Sequence, residues 1–112
     1  MKNYPLYSAD RYRDFAELIE GLGKKYAKNR ALVWYTRSRE EKSVTFGQMA
    51  KDVEALKEAF IRKGLAGKHL AIVGENSYQW LLAYMAATGC GSVAVCIDIE
   101  QSDETIMQML RA

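Results

Sequence analysis

Apolar and polar positions alternate with two different periods along this chain, and the switch between them marks its elements. From Tyr12 to Ala27 the residues Phe15, Leu18, Ile19, Leu22 and Tyr26 recur at helical spacing. Asp10 or Ser8 is available to cap that helix by accepting backbone N–H bonds. Gly21 and Gly23 lower the propensity of its last turn and predict fraying there. Ahead of it, the first eleven residues are aromatic and irregular, with Pro5 arguing against regular structure.

Ala31 to Thr36 is β-branched and aromatic and reads as a strand. The polar run Arg37 to Lys42 forms a turn, and Ser43-Val44 returns antiparallel to complete a small hairpin. Thr45 and Gln48 stand at capping-box spacing. Behind them Met49, Val53, Leu56 and Phe60 define an amphipathic helix over residues 46 to 62. Gly64 closes it as a left-handed cap, with Leu65 placed to fold back on the last turn.

His69 to Gly74 is a short continuous apolar run, as expected of a strand covered on both faces. Ser77 caps a helix from Tyr78 to about Thr88 that is apolar nearly all round and therefore requires burial on several sides. Gly89 and Gly91 stop it, and Ser92 to Ile97 forms another buried strand. Strand, helix and strand joined so tightly make a parallel βαβ unit, residues 69–98, with a right-handed crossover. Ser102 caps a last helix holding Ile106, Met107, Met109 and Leu110. The fold class is thus α/β: a partial doubly wound sheet whose βαβ unit follows a helix, a small hairpin and an amphipathic helix. A parallel pair leaves edges and faces uncovered, and no helix stop follows Leu110. The expectation is one unit over 1–112, a fragment of a larger domain whose later parts are absent.

Composition narrows the function classes. The chain has 112 residues, enough for one domain, and its 49% apolar content excludes a charge-driven disordered tail. Sixteen basic and 14 acidic residues are interspersed, leaving no stripe for nucleic acid or anionic lipid. No apolar run approaches the ~20 residues that cross a bilayer. The amino terminus lacks a secretory pattern, and Cys90 and Cys96 lack metal-ligand spacing and read as small core residues. A cytoplasmic protein without a transmembrane segment is expected.

The search for chemistry returns little. Gly64-Leu-Ala-Gly67-Lys68 precedes a strand and runs into His69, the wrong order for a phosphate loop, and reads as a helix-to-strand turn. Gly74, Glu75, Asn76 and Ser77 lie where a strand ends and a helix begins, the usual ligand position in open α/β sheets. Free N–H groups at Tyr78 and Gln79 favour an anion there, yet Glu75 repels phosphate, and structural capping by Ser77 is the stronger reading. His69, the only histidine, has no partner nucleophile and begins a strand. Trp34 and Trp80 read as buried anchors, and Asp98 as a strand-end turn residue near Glu100. These residues nominate no catalytic group and no metal site, and only 74–77 as a loop candidate for a cofactor.

Several ordered stretches nevertheless resemble the amino-terminal region of the adenylate-forming superfamily, and within it the AMP-binding long-chain acyl-CoA synthetases. They are Ser43-Val-Thr-Phe-Gly-Gln-Met49, Gly64 to Trp80, Ala83-Tyr-Met-Ala86 and Gly91 to Asp98, with Tyr4-Pro-Leu-Tyr7 and Asp14-Phe15 ahead of them. The resemblance spans essentially the whole chain. It implies a parent that activates a carboxylic acid with ATP and magnesium, releases pyrophosphate and transfers the acyl group to coenzyme A. The family's phosphate loop, adenine-reading segment and catalytic lysine match no position here, so no catalytic residue carries over. Cys96 stands where many members have proline. The partner so implied is the remainder of the parent enzyme, the fragment alone being inactive scaffold and prone to self-association through apolar faces. Two other readings stand beside it: a free-standing α/β interaction or regulatory module, and a small nucleotide-binding domain using the 74–77 loop.

Overall fold

A computed structural model describes residues 6–112. Pro5 and the rest of residues 1–5 lie outside the described residues, while 6–12 carry no helix or strand. Eight elements follow in order: α1 (Phe15–Lys25), β1 (Arg30–Tyr35), β2 (Glu41–Thr45), α2 (Phe46–Arg62), β3 (His69–Val73), α3 (Tyr78–Gly89), β4 (Val93–Ile97) and α4 (Asp103–Arg111). β1 and β2 pair antiparallel, and β3 and β4 pair parallel in a separate two-stranded sheet. The mixed α/β architecture and the βαβ unit match the sequence reading.

Local chemistry sets the boundaries. Thr45 Oγ1 accepts the Gln48 N–H at 3.1 Å and starts α2. The reciprocal half of the capping box is not made: the Gln48 side-chain amide donates to Asp52 at 2.8 Å instead. At the other end, Leu65 N–H donates to Phe60 C=O at 2.9 Å and Gly64 N–H to Ile61 C=O at 3.0 Å. With Gly64 at φ +74° this is a Schellman closure, which a Cβ would strain. Ser77 and Ser102 cap α3 and α4 as expected, accepting from Trp80 N–H at 3.1 Å and Thr105 N–H at 3.2 Å.

The first helix departs from expectation at both ends. Its N-cap is Asp14, whose carboxylate accepts the Glu17 N–H at 2.9 Å, and not Asp10 or Ser8. Asp10 instead meets the Lys25 ammonium at 2.7 Å across the helix, and that hydrogen bond and charge hold its carboxyl below the ordinary value. At the other end the helix stops at Lys25, two residues short of the predicted Ala27, and Gly21 and Gly23 lie within it. A Cβ on Gly23 would sit 2.5 Å from the Ala50 Cβ, and one on Gly47 2.9 Å from the Ala27 carbonyl. These glycines let α1 and α2 cross closely, and the packing so gained outweighs their propensity cost of about 1 kcal/mol each.

The core lies where α1, α2 and the hairpin meet. Ile19, Val44, Met49 and Val53 are buried together, with Leu32, Trp34, Leu82 and Met85 packed around them. α3 lies against α2 and α1 on one side and against β3 and β4 on the other. Ala86 and Ala87 are fully enclosed, as its all-apolar sequence demanded. The strands depart from expectation. Ile72 and Ile97 are buried, but Val73 and Val93 stay 42% and 50% exposed because among the described residues no second helix layer covers the sheet. Cys96, read as a core residue, is likewise exposed and Cys90 half-buried.

Gly23→Ala is expected to lower unfolding stability by about 1–3 kcal/mol through overpacking. Adding Ala50→Gly should recover part of that loss. Urea titration of the two single variants and the double variant measures the coupling, which should exceed ~0.5 kcal/mol if the two positions touch.

Candidate functional site

The parallel register brings the carboxyl ends of β3 and β4 side by side, Val73 opposite Ile97. The loops leaving them, 74–77 and 98–102, therefore face one another at the place where open α/β sheets hold ligands. Between them lies a cleft of about 380 Å³ lined by Gly74, Glu75, Asn76, Trp80, Cys96 and residues 97–100. Three of the four loop candidates, Gly74, Glu75 and Asn76, line it. Ser77 does not; its hydroxyl is engaged in capping α3.

The chemistry of the cleft is acidic. Glu75 approaches from one loop, and Asp98 and Glu100 from the other. Asp98 Oδ1 accepts the Glu100 N–H at 2.9 Å, an Asx turn that fixes the second loop. Among the described residues no lysine or arginine lines the cleft. An anionic phosphate would thus meet three carboxylates with only helix-terminal N–H groups in its favour, which weighs against nucleotide binding by this loop. Among the described residues no group of three or more His, Cys, Asp or Glu side chains is disposed to hold a metal ion.

Trp80 was expected as a buried anchor. It is half-buried, stacks on Tyr84 with ring centroids 5.7 Å apart, and forms a wall of the cleft. His69 begins β3, is exposed and is not among the cleft's residues. Gly64 to Lys68 is the expected helix-to-strand turn, with Gly64 and Gly67 both at positive φ. Sequence spacing did not bring Asp98 and Glu100 to the 74–77 loop, although the βαβ register alone implies that neighbourhood.

A second polar arrangement lies behind the cleft and escaped the sequence reading. Tyr78, the first residue of α3, donates its hydroxyl to Asp52 of α2 at 2.6 Å. Its ring stacks on Trp34 of β1, 5.7 Å between centroids and 19° between planes. The residue following the candidate loop is thereby fastened to both α2 and the hairpin. Burial, and then the Asp52 hydrogen bond and charge, raise the Tyr78 hydroxyl above its ordinary value.

The fold is that of the amino-terminal domain of adenylate-forming enzymes. The AMP-binding enzyme family matches residues 20–112, and the chain belongs to that family. Among solved structures, the Klebsiella oxytoca NpsA N-terminal subdomain superposes with a TM-score of 0.79 at 19% identity, over 90% of this chain and 26% of that one. The fatty acid AMP ligase from Legionella pneumophila gives 0.76 at 12% identity, over 90% of this chain and 18% of its own. The N-terminal domain of FACL13 from Mycobacterium tuberculosis gives 0.74 at 16% identity, over 88% and 24%. The chain thus spans about a quarter or less of the length of these structures, and at such identities the likeness is one of fold. No curated protein matches the chain.

Tyr78→Phe is expected to destabilise the fold by about 1–2 kcal/mol, since a half-buried carboxylate loses a donor. The sign of the accompanying pH effect follows from the raised hydroxyl. The unfolded chain releases this proton near 10, while the folded chain retains it to higher pH. The contribution is present below pH 10 and is lost as pH rises above it. Denaturation midpoints between about pH 9 and 11 should fall more steeply for the parent sequence than for Tyr78→Phe.

Proposed function

We propose that this chain is the scaffold portion of an ATP-dependent acid–thiol ligase, which converts a carboxylate and ATP to an acyl-adenylate and then to acyl-CoA. The observation carrying this reading is the family match over 20–112 together with a βαβ unit whose strand-end cleft is walled by carboxylates. In such an enzyme ATP, magnesium and coenzyme A are handled by groups outside these residues. The chain's own part is structural: α3, anchored by Tyr78 and Trp34, holds two loops at the edge of the nucleotide-forming region. The spelling Gly74-Glu-Asn-Ser-Tyr-Gln-Trp80 supports a fatty acid or related acyl substrate over an amino acid. The remainder of the parent enzyme is the partner this reading requires, acting in the cytoplasm. No helix among the described residues is long and apolar enough to cross a membrane.

The rival reading, a small nucleotide-binding domain using residues 74–77, is disfavoured by the acidic lining of the cleft. Titration calorimetry separates the two: the 112-residue chain should show no saturable heat with ATP or AMP, with or without magnesium. A dissociation constant in the micromolar range would overturn the scaffold reading. The parent enzyme, read through the genomic frame that encodes this chain, should catalyse carboxylate-dependent exchange of pyrophosphate into ATP.

A further inference from the structure

α3 is apolar nearly all round, so hydrophobic patterning by itself gives this helix no preferred face. At its far end size decides the matter, since close packing encloses Ala86 and Ala87 completely. At the cleft end the residues are large, Trp80, Leu81 and Leu82, and each is half-buried. Burial of such a sequence is nearly indifferent to a rotation about the helix axis. Yet a slip of one residue turns the helix by about 100° and carries Trp80 off the wall of the cleft.

A directional contact removes that freedom. Tyr78 donates its hydroxyl to Asp52 Oδ2 at 2.6 Å. Among the described residues it is the only α3 side chain that hydrogen-bonds to another element, since the Thr88 hydroxyl bonds within the helix. Asp52 is itself aimed: its Oδ1 accepts the Gln48 side-chain amide at 2.8 Å, the group that gives up the reciprocal half of the capping box. The aromatic contacts of α3 are less exacting. Tyr78 stacks on Trp34 and Tyr84 meets Phe15 edge-on at 5.9 Å. Ring pairs keep contact over centroid separations of about 4.5–7 Å, so the hydrogen bond sets the position within that range. A buried hydroxyl–carboxylate pair adds little net stability over an apolar pair of the same shape. What it contributes here is direction.

We propose that Asp52 is a positioning residue: through Tyr78 it sets the rotation of α3, and with it the placement of Trp80 and the 74–77 loop at the strand-end cleft. Its bearing on the reaction rests on the ligase reading, whereas its bearing on the geometry does not. Asp52 is not among the cleft's residues and acts at one remove. The Ser77 cap ties the loop to the helix start, so a turn of α3 passes directly to Glu75 and Asn76. In a ligase whose nucleotide chemistry adjoins that loop, the rotation of α3 governs turnover. A misplacement of about 1 Å from a distant residue costs on the order of a hundredfold in rate.

Charge-selective fluorescence quenching tests the geometry on the 112-residue chain, with circular dichroism confirming that each variant is folded. A Trp34→Phe background keeps a stacking ring and leaves Trp80 as the single tryptophan. Trp80 walls a cleft with three carboxylates and, among the described residues, no lysine or arginine. Caesium should therefore quench it at least about twofold better than iodide, relative to free tryptophanamide. Asp52→Ala should bring the two quenchers within about 1.5-fold of each other. Asp52→Asn keeps an oxygen for the Tyr78 hydroxyl and should restore most of the preference. Tyr78→Phe removes the donor, keeps the ring and should behave as Asp52→Ala does, replacing it if that variant does not fold. A preference unchanged by either substitution overturns the proposal, because packing alone then positions the helix. Equal loss in Asp52→Asn overturns it by tracing the effect to charge, and an unaltered chain without the preference overturns it by taking Trp80 off the cleft. In the parent enzyme, Asp52→Ala should lower the kcat of carboxylate-dependent pyrophosphate exchange about tenfold, and Asp52→Asn should recover it. Undiminished exchange overturns the role in the reaction. No exchange in the unaltered parent overturns the ligase reading and that role with it, while the quenching pattern still decides the geometry.

Discussion

Everything in this fold follows from a helix that cannot tolerate water on most of its surface. α3 offers only Gln79 as an exposed side chain, and Ala86 and Ala87 are completely enclosed. Such a helix is stable only between two layers. The α1–α2 pair supplies one and the β3–β4 sheet the other. Small residues at 86 and 87 permit close approach, while Leu82 and Met85 reach into the Ile19–Val53 cluster. The hairpin joins the same body through Trp34, which lies flat on Tyr78. One helix thus makes a single core from segments that would each be marginal alone.

The same constraint leaves the sheet half-dressed. α3 covers one face of β3 and β4, and parallel strands ordinarily require cover on both. α4, although amphipathic, contributes no buried residue, and Met107, Met109 and Leu110 remain about half-exposed at 46%, 45% and 49%. An apolar helix stripe, an apolar strand edge and exposed valines at 73 and 93 therefore belong together as unmet burial. The solved structures that share this fold are several times longer than the chain, and the scaffold proposal assigns the missing cover to the rest of the parent. The sequence of the strands is written for a two-sided environment that these residues by themselves do not provide.

How much was legible from the sequence depends on where the deciding interaction lies. α2 was read at its observed bounds because both its signals are local: a threonine cap at one end and a glycine in the left-handed region at the other. The βαβ unit was legible for a similar reason, as glycines and a serine punctuate it. The ends of α1 differ from the reading for two reasons. Asp14 takes the cap through a local contact, three residues before Glu17, while Asp10 is drawn to Lys25 fifteen residues away. The glycines at 21 and 23 read only as lowering helix propensity, and the role of Gly23 shows only once Ala50 of α2 is seen against it. Full burial of both strands failed for another reason: hydrophobicity reports the environment a segment was selected for, whatever part of that environment is present.

The candidate site shows the same division. Residues 74–77 were found because a strand end meeting a helix start is a local pattern, but their character is decided by Asp98 and Glu100, more than twenty residues on. The amino end of α3 carries a partial positive charge that would attract a phosphate in isolation. Glu75 sits three residues before that end, and the Asx turn at Asp98 presents further acidic groups across the cleft. These carboxylates complement the helix dipole themselves, so the loop has no unmet demand for an external anion. Tyr78 then fastens the helix start to Asp52 and Trp34, so the loop's position is set from behind while its face stays negative. A loop held firmly and already neutralised is suited to supporting its neighbours, and it offers a phosphate no positively charged side chain of its own.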